Sequence, residues 1–253
     1  MEILLYSLLL SLGIQILFFI FAFLLKTDKL TDLTYGLTFI ILVFFAITLS
    51  PMITVNKIIL LAMICLWALR LISYLFYRIN KMKKDTRFDE MRTDFLKFAR
   101  FWIFQGISVW IIMLPSLIYF SQLKSHSFSI VSVLGIIIWF TGLLIETIAD
   151  IQKFMFKSKP ENKGLWIESG LWKYSRHPNY FGEILCWVGV FTFITPILRN
   201  WEFLTVISPL YITTLLLFVS GIPILEKRYN ERYKNNRDYQ EYKNSTSLLI
   251  PLP

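Results

Sequence analysis

The stretch "ILLYSLLLSLGIQILFFIFAFLL" occupies residues 3–25 and contains no charged residue. A helix that crosses the hydrocarbon core of a bilayer needs about 20 predominantly apolar residues, so this run is long enough. It has neither a basic N-terminal region nor a small-residue cleavage site, and it is longer than the apolar part of a typical signal peptide. We therefore expect a first transmembrane helix that is retained.

Similar apolar runs recur along the chain. The 253 residues are 56% hydrophobic, whereas soluble domains are usually about 45–50% apolar. Seven candidate spans cover approximately residues 3–25, 33–50, 57–79, 99–120, 129–149, 180–197 and 203–222. The pattern predicts an all-α fold, a polytopic membrane bundle of about seven transmembrane helices. No internal repeat or linker divides the chain, so we expect a single membrane domain over residues 1–253.

The positive charges indicate the topology. Of the 26 Lys and Arg residues, 22 lie in the loops 26–32, 78–100 and 150–179 and in the tail after residue 222. Basic loops stay on the cytoplasmic side, so we predict an integral membrane protein whose loops 78–100 and 150–179 and C-terminal tail are cytoplasmic. In a bacterium this would be the inner membrane. The net charge of +9 thus reflects topology, and we expect no nucleic-acid partner because the basic residues all lie next to the membrane.

Two acidic residues lie at the end of the fifth predicted span. Glu146 and Asp150 are four residues apart and therefore share one helix face. Ionisable residues at membrane depth are costly and usually line a functional cavity or pair with one another. Two interpretations stay open: an interfacial pair neutralised by Lys153 or Lys157, or, as we favour, the lining of a polar cavity. Neither the two Cys residues nor any other spacing predicts a metal site.

A second polar group begins the sixth predicted span, in "YSRHPNYFGEILCW" at residues 174–187. Pro178 suits the first turn of a helix, where its missing N–H is not needed. The polar side chains around this helix start are Arg176, His177, Asn179, Tyr180 and Glu183. Free N–H groups and cations at a helix start attract anions. The arrangement predicts a site for a phosphate-bearing ligand at the cytoplasmic interface.

The two stretches "GLLIETIADIQKFMFKSKPENKGLWIESGLWKYSRHPNYFGEILCWVGVF" and "EKRYNERY", with the later "LIP", together resemble a known family. They are similar to the C-terminal half of the steroid 5α-reductase superfamily and, within it, to the bacterial branch known as the DUF1295 family, over about residues 70–253. The resemblance implies a membrane reductase that uses NADPH to reduce a C=C bond of a steroid-, sterol- or enone-like lipid in the bilayer. The ketone-polarising Glu and Tyr that steroid reductases carry in early spans have no match here, so the catalytic residues are unknown.

The resemblance also implies which residues contact the cofactor. Asp150 and Lys157 match positions that hold the nucleotide, Arg228 matches a phosphate-binding arginine, and Tyr242 matches a tyrosine of the tail. With the acid of the fifth span and the polar residues of the sixth, the expected NADPH-binding residues are Glu146, Asp150, Lys157, Arg176, His177, Asn179, Tyr180, Glu183, Arg228 and Tyr242.

Two other functions stay open. Isoprenylcysteine and phospholipid methyltransferases also carry an RHP motif after a span and a Glu-rich tail, and they bind S-adenosylmethionine. A non-catalytic lipid-binding or transport protein is the other alternative. S-Adenosylmethionine carries no phosphate, so a cationic cluster formed by Lys157, Arg176 and Arg228 would favour NADPH.

Overall fold

The computed structural model describes residues 2–82, 91–123 and 128–252, without the side chains of residues 79–82. The predicted loop 78–100 is therefore described only in part, because residues 83–90 lie outside these ranges. The α-helices within the described residues are α1 (Glu2–Leu24), α2 (Lys29–Thr48), α3 (Val55–Met82), α4 (Phe95–Ser121), α5 (Ile130–Ser158), α6 (Pro178–Ile194), α7 (Ile207–Thr214), α8 (Ile222–Arg232) and α9 (Arg237–Ser245). No β-strand occurs in these ranges, and an isolated bridge joins Ser175 to Ser247.

The helices confirm the predicted fold class. Within the described residues, seven helical stretches are long and apolar enough to cross a membrane. Many large apolar side chains are exposed along these helices, as expected for surfaces that face lipid rather than water. The protein is thus an all-α polytopic bundle, while the cytoplasmic location of its basic loops stays a prediction.

The fifth span is longer than predicted. The sequence suggested an end near residue 149, but α5 continues for two more turns to Ser158. Lys159 then adopts an extended backbone before Pro160, because a residue that precedes proline is disfavoured in the helical conformation. Asp150 therefore lies on the same helix as Glu146, as their spacing predicted, and Lys157 also lies on this helix rather than in the loop 150–179.

The last predicted span, 203–222, is not one continuous α-helix. A 3₁₀ segment (Asn200–Val206) leads into α7, a π-helical turn follows at Leu215–Val219, and Gly221 with Pro223 begins α8. The tail after this segment contains two helices, α8 and α9. The chain turns between α8 and α9, where the Asn236 side chain caps α9 by accepting from the Tyr239 N–H at 2.9 Å.

Contacts divide the chain into two compact units, and the first comprises residues 1–133 and 190–208. Here α1 packs against α2 and α4, and α2 packs against α3. The Lys57 ammonium is buried and donates to Ser50 Oγ at 2.7 Å and to backbone carbonyls, among them that of Phe120 at 3.0 Å. These bonds hold the starting turn of α3 to the end of α4.

The second unit comprises residues 134–189 and 209–253 and contains every candidate site residue. Its central feature is the close approach of α5 and α6. A Cβ atom added at Gly182 would lie 2.6 Å from the Glu146 backbone nitrogen and 2.6 Å from the Gly142 carbonyl oxygen. A Cβ added at Gly142 would in turn lie 2.6 Å from the Gly182 carbonyl oxygen. The two backbones are therefore in direct contact, as small residues permit between membrane helices.

We expect Gly182→Ala to destabilise the protein by about 1–3 kcal/mol, because the new methyl group meets backbone atoms that have no rotamer to change. The matched control is Gly13→Ala in α1, where an added Cβ would meet no described heavy atom within 4 Å other than the local backbone of its own helix. The control should leave the stability unchanged or raise it by up to about 1 kcal/mol. Thermal unfolding of both variants in detergent checks this, and equal midpoints would contradict the close helix contact.

Candidate functional site

The contact between α5 and α6 places an acid beside an amide. Asn179, in the first turn of α6, donates from Nδ2 to Asp150 Oδ1 on α5 at 3.2 Å. Asp150 and Glu146 are both buried, with 5% and 3% of their surface exposed. The structure thus joins two residues, 29 positions apart, that the resemblance assigns to the same cofactor.

The amide oxygen of Asn179 is not hydrogen-bonded within the described residues. This Oδ1 atom is buried. A buried acceptor without a donor costs about 1–3 kcal/mol, so such an atom is a candidate contact for a ligand. Glu183 lies one turn further along α6 and is half-buried. An N–H or O–H donor of a bound molecule would satisfy the amide oxygen.

Just before α6, Arg176 and His177 share one carboxylate. Arg176 Nη1 forms an ion pair with Glu226 Oε2, and His177 Nε2 lies 2.8 Å from Glu226 Oε1. His177 is almost fully buried, with 1% of its surface exposed. Glu226 belongs to α8, so the motif in front of α6 is fixed by a helix almost fifty residues later.

The contact with Glu226 determines which nitrogen of His177 carries the proton. Burial lowers the pKa of His177 below its ordinary value of 6.5, so the imidazole is neutral at pH 7. The ionised Glu226 carboxylate can only accept a hydrogen bond, so Nε2 carries the proton and donates it. Nδ1 is then an acceptor, and it is buried without a partner among the described residues. The Tyr180 ring stacks on the imidazole at a centroid distance of 5.7 Å.

The loop that leads to α6 is attached to α5. Trp172 Nε1 donates to the Ala149 carbonyl at 3.0 Å, and the Leu171 N–H donates to Gln152 Oε1 at 3.0 Å. The Lys153 ammonium lies over the Trp172 ring, 4.4 Å from its centroid, as in a cation–π contact. These contacts fix the loop in front of Arg176.

The C-terminal helices add an aromatic wall. Tyr242 donates its hydroxyl to the Trp172 carbonyl at 2.7 Å. Burial raises the pKa of Tyr239 to about 12, so its hydroxyl stays protonated at neutral pH. A small pocket beside the Arg176–Glu226 ion pair is lined by Trp166, Ile167, Trp172, Arg176, Glu226, Tyr229, Tyr239 and Tyr242. Its surface is mostly aromatic, with one compensated pair of charges.

The ten predicted cofactor residues differ in their positions. The residues in the buried or half-buried region described above are Glu146, Asp150, Arg176, His177, Asn179, Tyr180, Glu183 and Tyr242. Lys157 and Arg228 have exposed side chains instead. The guanidinium of Arg176 is directed to Glu226, so its charge is already compensated within the protein.

Glu226 is the main residue that the sequence analysis missed. It stands in "LEKRY", directly after the stretch of residues 203–225, which carries no charge. An acid at the start of a charged helix is common and does not by itself indicate a partner. A pairing with the arginine and histidine of the RHP motif requires knowledge of which helices are neighbours in space.

Comparisons with known proteins give a family and one short similarity. The profile of a family described as "Protein of unknown function (DUF1295)" matches residues 18–246. A curated protein of Ustilaginoidea virens, named "Probable O-methyltransferase ustE", is 44% identical over 46 residues. That similarity covers 18% of this chain and 16% of the length of the relative. No solved structure matches the chain.

The lowered pKa of His177 predicts a pH-dependent stability. The unfolded chain takes up a proton below about pH 6.5 that the folded protein excludes, so the unfolding free energy should fall as the pH drops below this value. For one proton the slope is at most about 1.4 kcal/mol per pH unit. We expect His177→Gln to reduce this dependence, measured as thermal midpoints in detergent from about pH 5 to pH 8.

The second histidine of the chain, His126, lies outside the described residues, so its contribution is removed by making the comparison in a His126→Gln background. If His177→Gln left the pH profile unchanged in that background, the buried neutral imidazole would be contradicted.

Proposed function

This chain belongs to the DUF1295 family, and we propose that it is a membrane-embedded enzyme that reduces a C=C bond of a lipid with NADPH. The observation that supports this most directly is the hydrogen bond between Asn179 and Asp150. The resemblance to the steroid 5α-reductase superfamily assigns both residues to the nucleotide. Their contact across two helices is what a shared ligand would require.

The polar groups around this pair suit parts of NADPH. The buried Oδ1 of Asn179 can accept from the NH₂ group of a nicotinamide carboxamide, while the oxygen of that carboxamide needs a hydrogen-bond donor. Carboxylates such as Asp150 and Glu146 accept from ribose hydroxyls, the role that an acidic residue has in other dinucleotide sites. The exposed cations of Lys157 and Arg228 suit phosphate groups.

When bound, NADPH would supply the hydride that reduces an electron-poor C=C bond. The residues of this chain would bind and orient the ligand and exclude water from it. The buried environment of Asp150 and His177 strengthens each of these polar contacts, because the local dielectric constant is lower than in water. The acceptor we propose is an enone-like lipid that enters from the bilayer.

A second candidate is methyl transfer from S-adenosylmethionine to a lipid. Two observations favour it. Arg176 is already neutralised by Glu226, so it offers a phosphate less attraction than a guanidinium without a carboxylate partner. The short similarity to a protein named "Probable O-methyltransferase ustE" is the other observation. S-Adenosylmethionine is cationic at its sulfonium, which suits a pocket with aromatic walls and nearby acids.

Ligand binding to the full chain in detergent distinguishes the two candidates. We expect NADPH to raise the thermal midpoint and S-adenosylmethionine to leave it unchanged. Asn179→Ala should weaken NADPH binding about tenfold or more, equivalent to roughly 1.4 kcal/mol, because it removes both the amide acceptor and the bond to Asp150. Isothermal titration calorimetry gives the affinities.

Asn235→Ala is the matched control, because Asn235 is an exposed asparagine between α8 and α9. It should bind NADPH as the unmodified protein does. Stabilisation by S-adenosylmethionine alone would reject the reductase and select methyl transfer. Stabilisation by neither ligand would contradict both candidates.

A further inference from the structure

The C-terminal segment, Ser247–Leu252, runs beside the residues that precede α6. The Arg176 N–H donates to the Ser247 carbonyl at 2.9 Å, and the Leu252 N–H donates to the Tyr174 carbonyl at 3.3 Å. An isolated parallel bridge joins Ser175 to Ser247. The last residues of the chain are therefore bonded at both ends of this segment to the loop that carries Arg176 and His177.

One hydroxyl group connects this segment to His177. Ser175 Oγ donates to the Leu249 carbonyl at 2.7 Å and accepts from the His177 N–H at 3.1 Å. Ser175 is completely buried, with 0% of its surface exposed. The hydroxyl donates its single hydrogen to the C-terminal segment, and its oxygen accepts from the backbone N–H of His177. Because the group is buried, water cannot replace either bond without a local rearrangement.

The backbone and the side chain of His177 are thus fixed by different parts of the chain. The imidazole is oriented by Glu226 of α8 at 2.8 Å, while its backbone N–H is held through Ser175. The ring is deeply buried, and its Nδ1 acceptor has no partner among the described residues. The position of this acceptor is therefore sensitive to small displacements of the His177 backbone. Errors of about 1 Å in a binding group are enough to impair a site.

We propose that the C-terminal segment is a positioning element of the ligand site, which acts through Ser175 to set the place of the His177 imidazole. Its effect on ligand binding rests on the proposed function. Its effect on the imidazole does not depend on any ligand, so the two can be tested separately.

Histidine NMR provides the ligand-independent test, since the chain has only two histidines. In a His126→Gln background, ¹³C-labelled histidine gives one ring signal, that of His177. The charged groups that act on its titration are Glu226, Lys153 and Arg176. Ser175→Ala changes none of them, so an altered pKa or ring tautomer would report a change in position and hydration.

We expect Ser175→Ala to raise the pKa of His177 towards its ordinary value, because a less constrained segment admits water to the ring. Ser175→Thr retains the hydroxyl and should restore the original titration. The control is Ser245→Ala, since Ser245 is exposed and, within the described residues, its hydroxyl bonds to carbonyls of its own helix. Truncation after Thr246 should reproduce the effect of Ser175→Ala, and the point variant decides if the truncated chain does not fold.

An unchanged His177 titration in Ser175→Ala would overturn the proposal. The ligand experiment is the second test: NADPH affinity should fall at least threefold in Ser175→Ala and not in Ser245→Ala. If the unmodified chain bound neither NADPH nor S-adenosylmethionine, the proposed function would fail, while the NMR result would still support or reject the positioning role.

Discussion

The candidate site depends on the direct backbone contact between α5 and α6. Gly142 and Gly182 face each other at a distance that no side chain could occupy. Because the helices touch there, Asp150 on α5 lies within hydrogen-bond distance of Asn179 on α6. In a bilayer, where apolar burial gives little net attraction between helices, close packing of small residues is a principal source of association. The glycines therefore hold together the polar side chains that lie beyond them.

The charges of the site are largely compensated by the protein itself. One carboxylate, Glu226, holds both Arg176 and the neutral imidazole of His177. This arrangement avoids an isolated buried charge, which would be far more costly than a pair. It also gives the arginine and histidine of the RHP motif a partner within the protein. In the folded protein, Nη1 of this arginine pairs with Glu226 of α8. Among the described residues, the buried site atoms without a hydrogen-bond partner are Nε of Arg176, which is a donor, and the acceptors Nδ1 of His177 and Oδ1 of Asn179.

Hydropathy predicted the number and approximate place of the membrane helices, because the length of an apolar run follows from the thickness of the bilayer. It was less accurate at their ends. The apolar run of α5 stops near residue 149, but the helix continues to Ser158. Backbone hydrogen bonds form in an amphipathic turn as readily as in an apolar one, so hydropathy does not mark the end of the helix. The π-helical turn at Leu215–Val219 was not foreseen either, because nothing in five consecutive apolar residues marks a change in hydrogen-bond register.

The sequence by itself determined an all-α membrane fold, the start of α6 at Pro178 and the shared helix face of Glu146 and Asp150, all of which are set by neighbours within a few turns. Only the tertiary structure decided which distant groups meet. The pairing of Glu226 with Arg176 and His177, and the bond from Ser175 to Leu249, join residues about 50 and 74 positions apart. Such contacts depend on how helices and terminal segments pack in space, and the chemistry of each residue is compatible with many partners until that packing selects one.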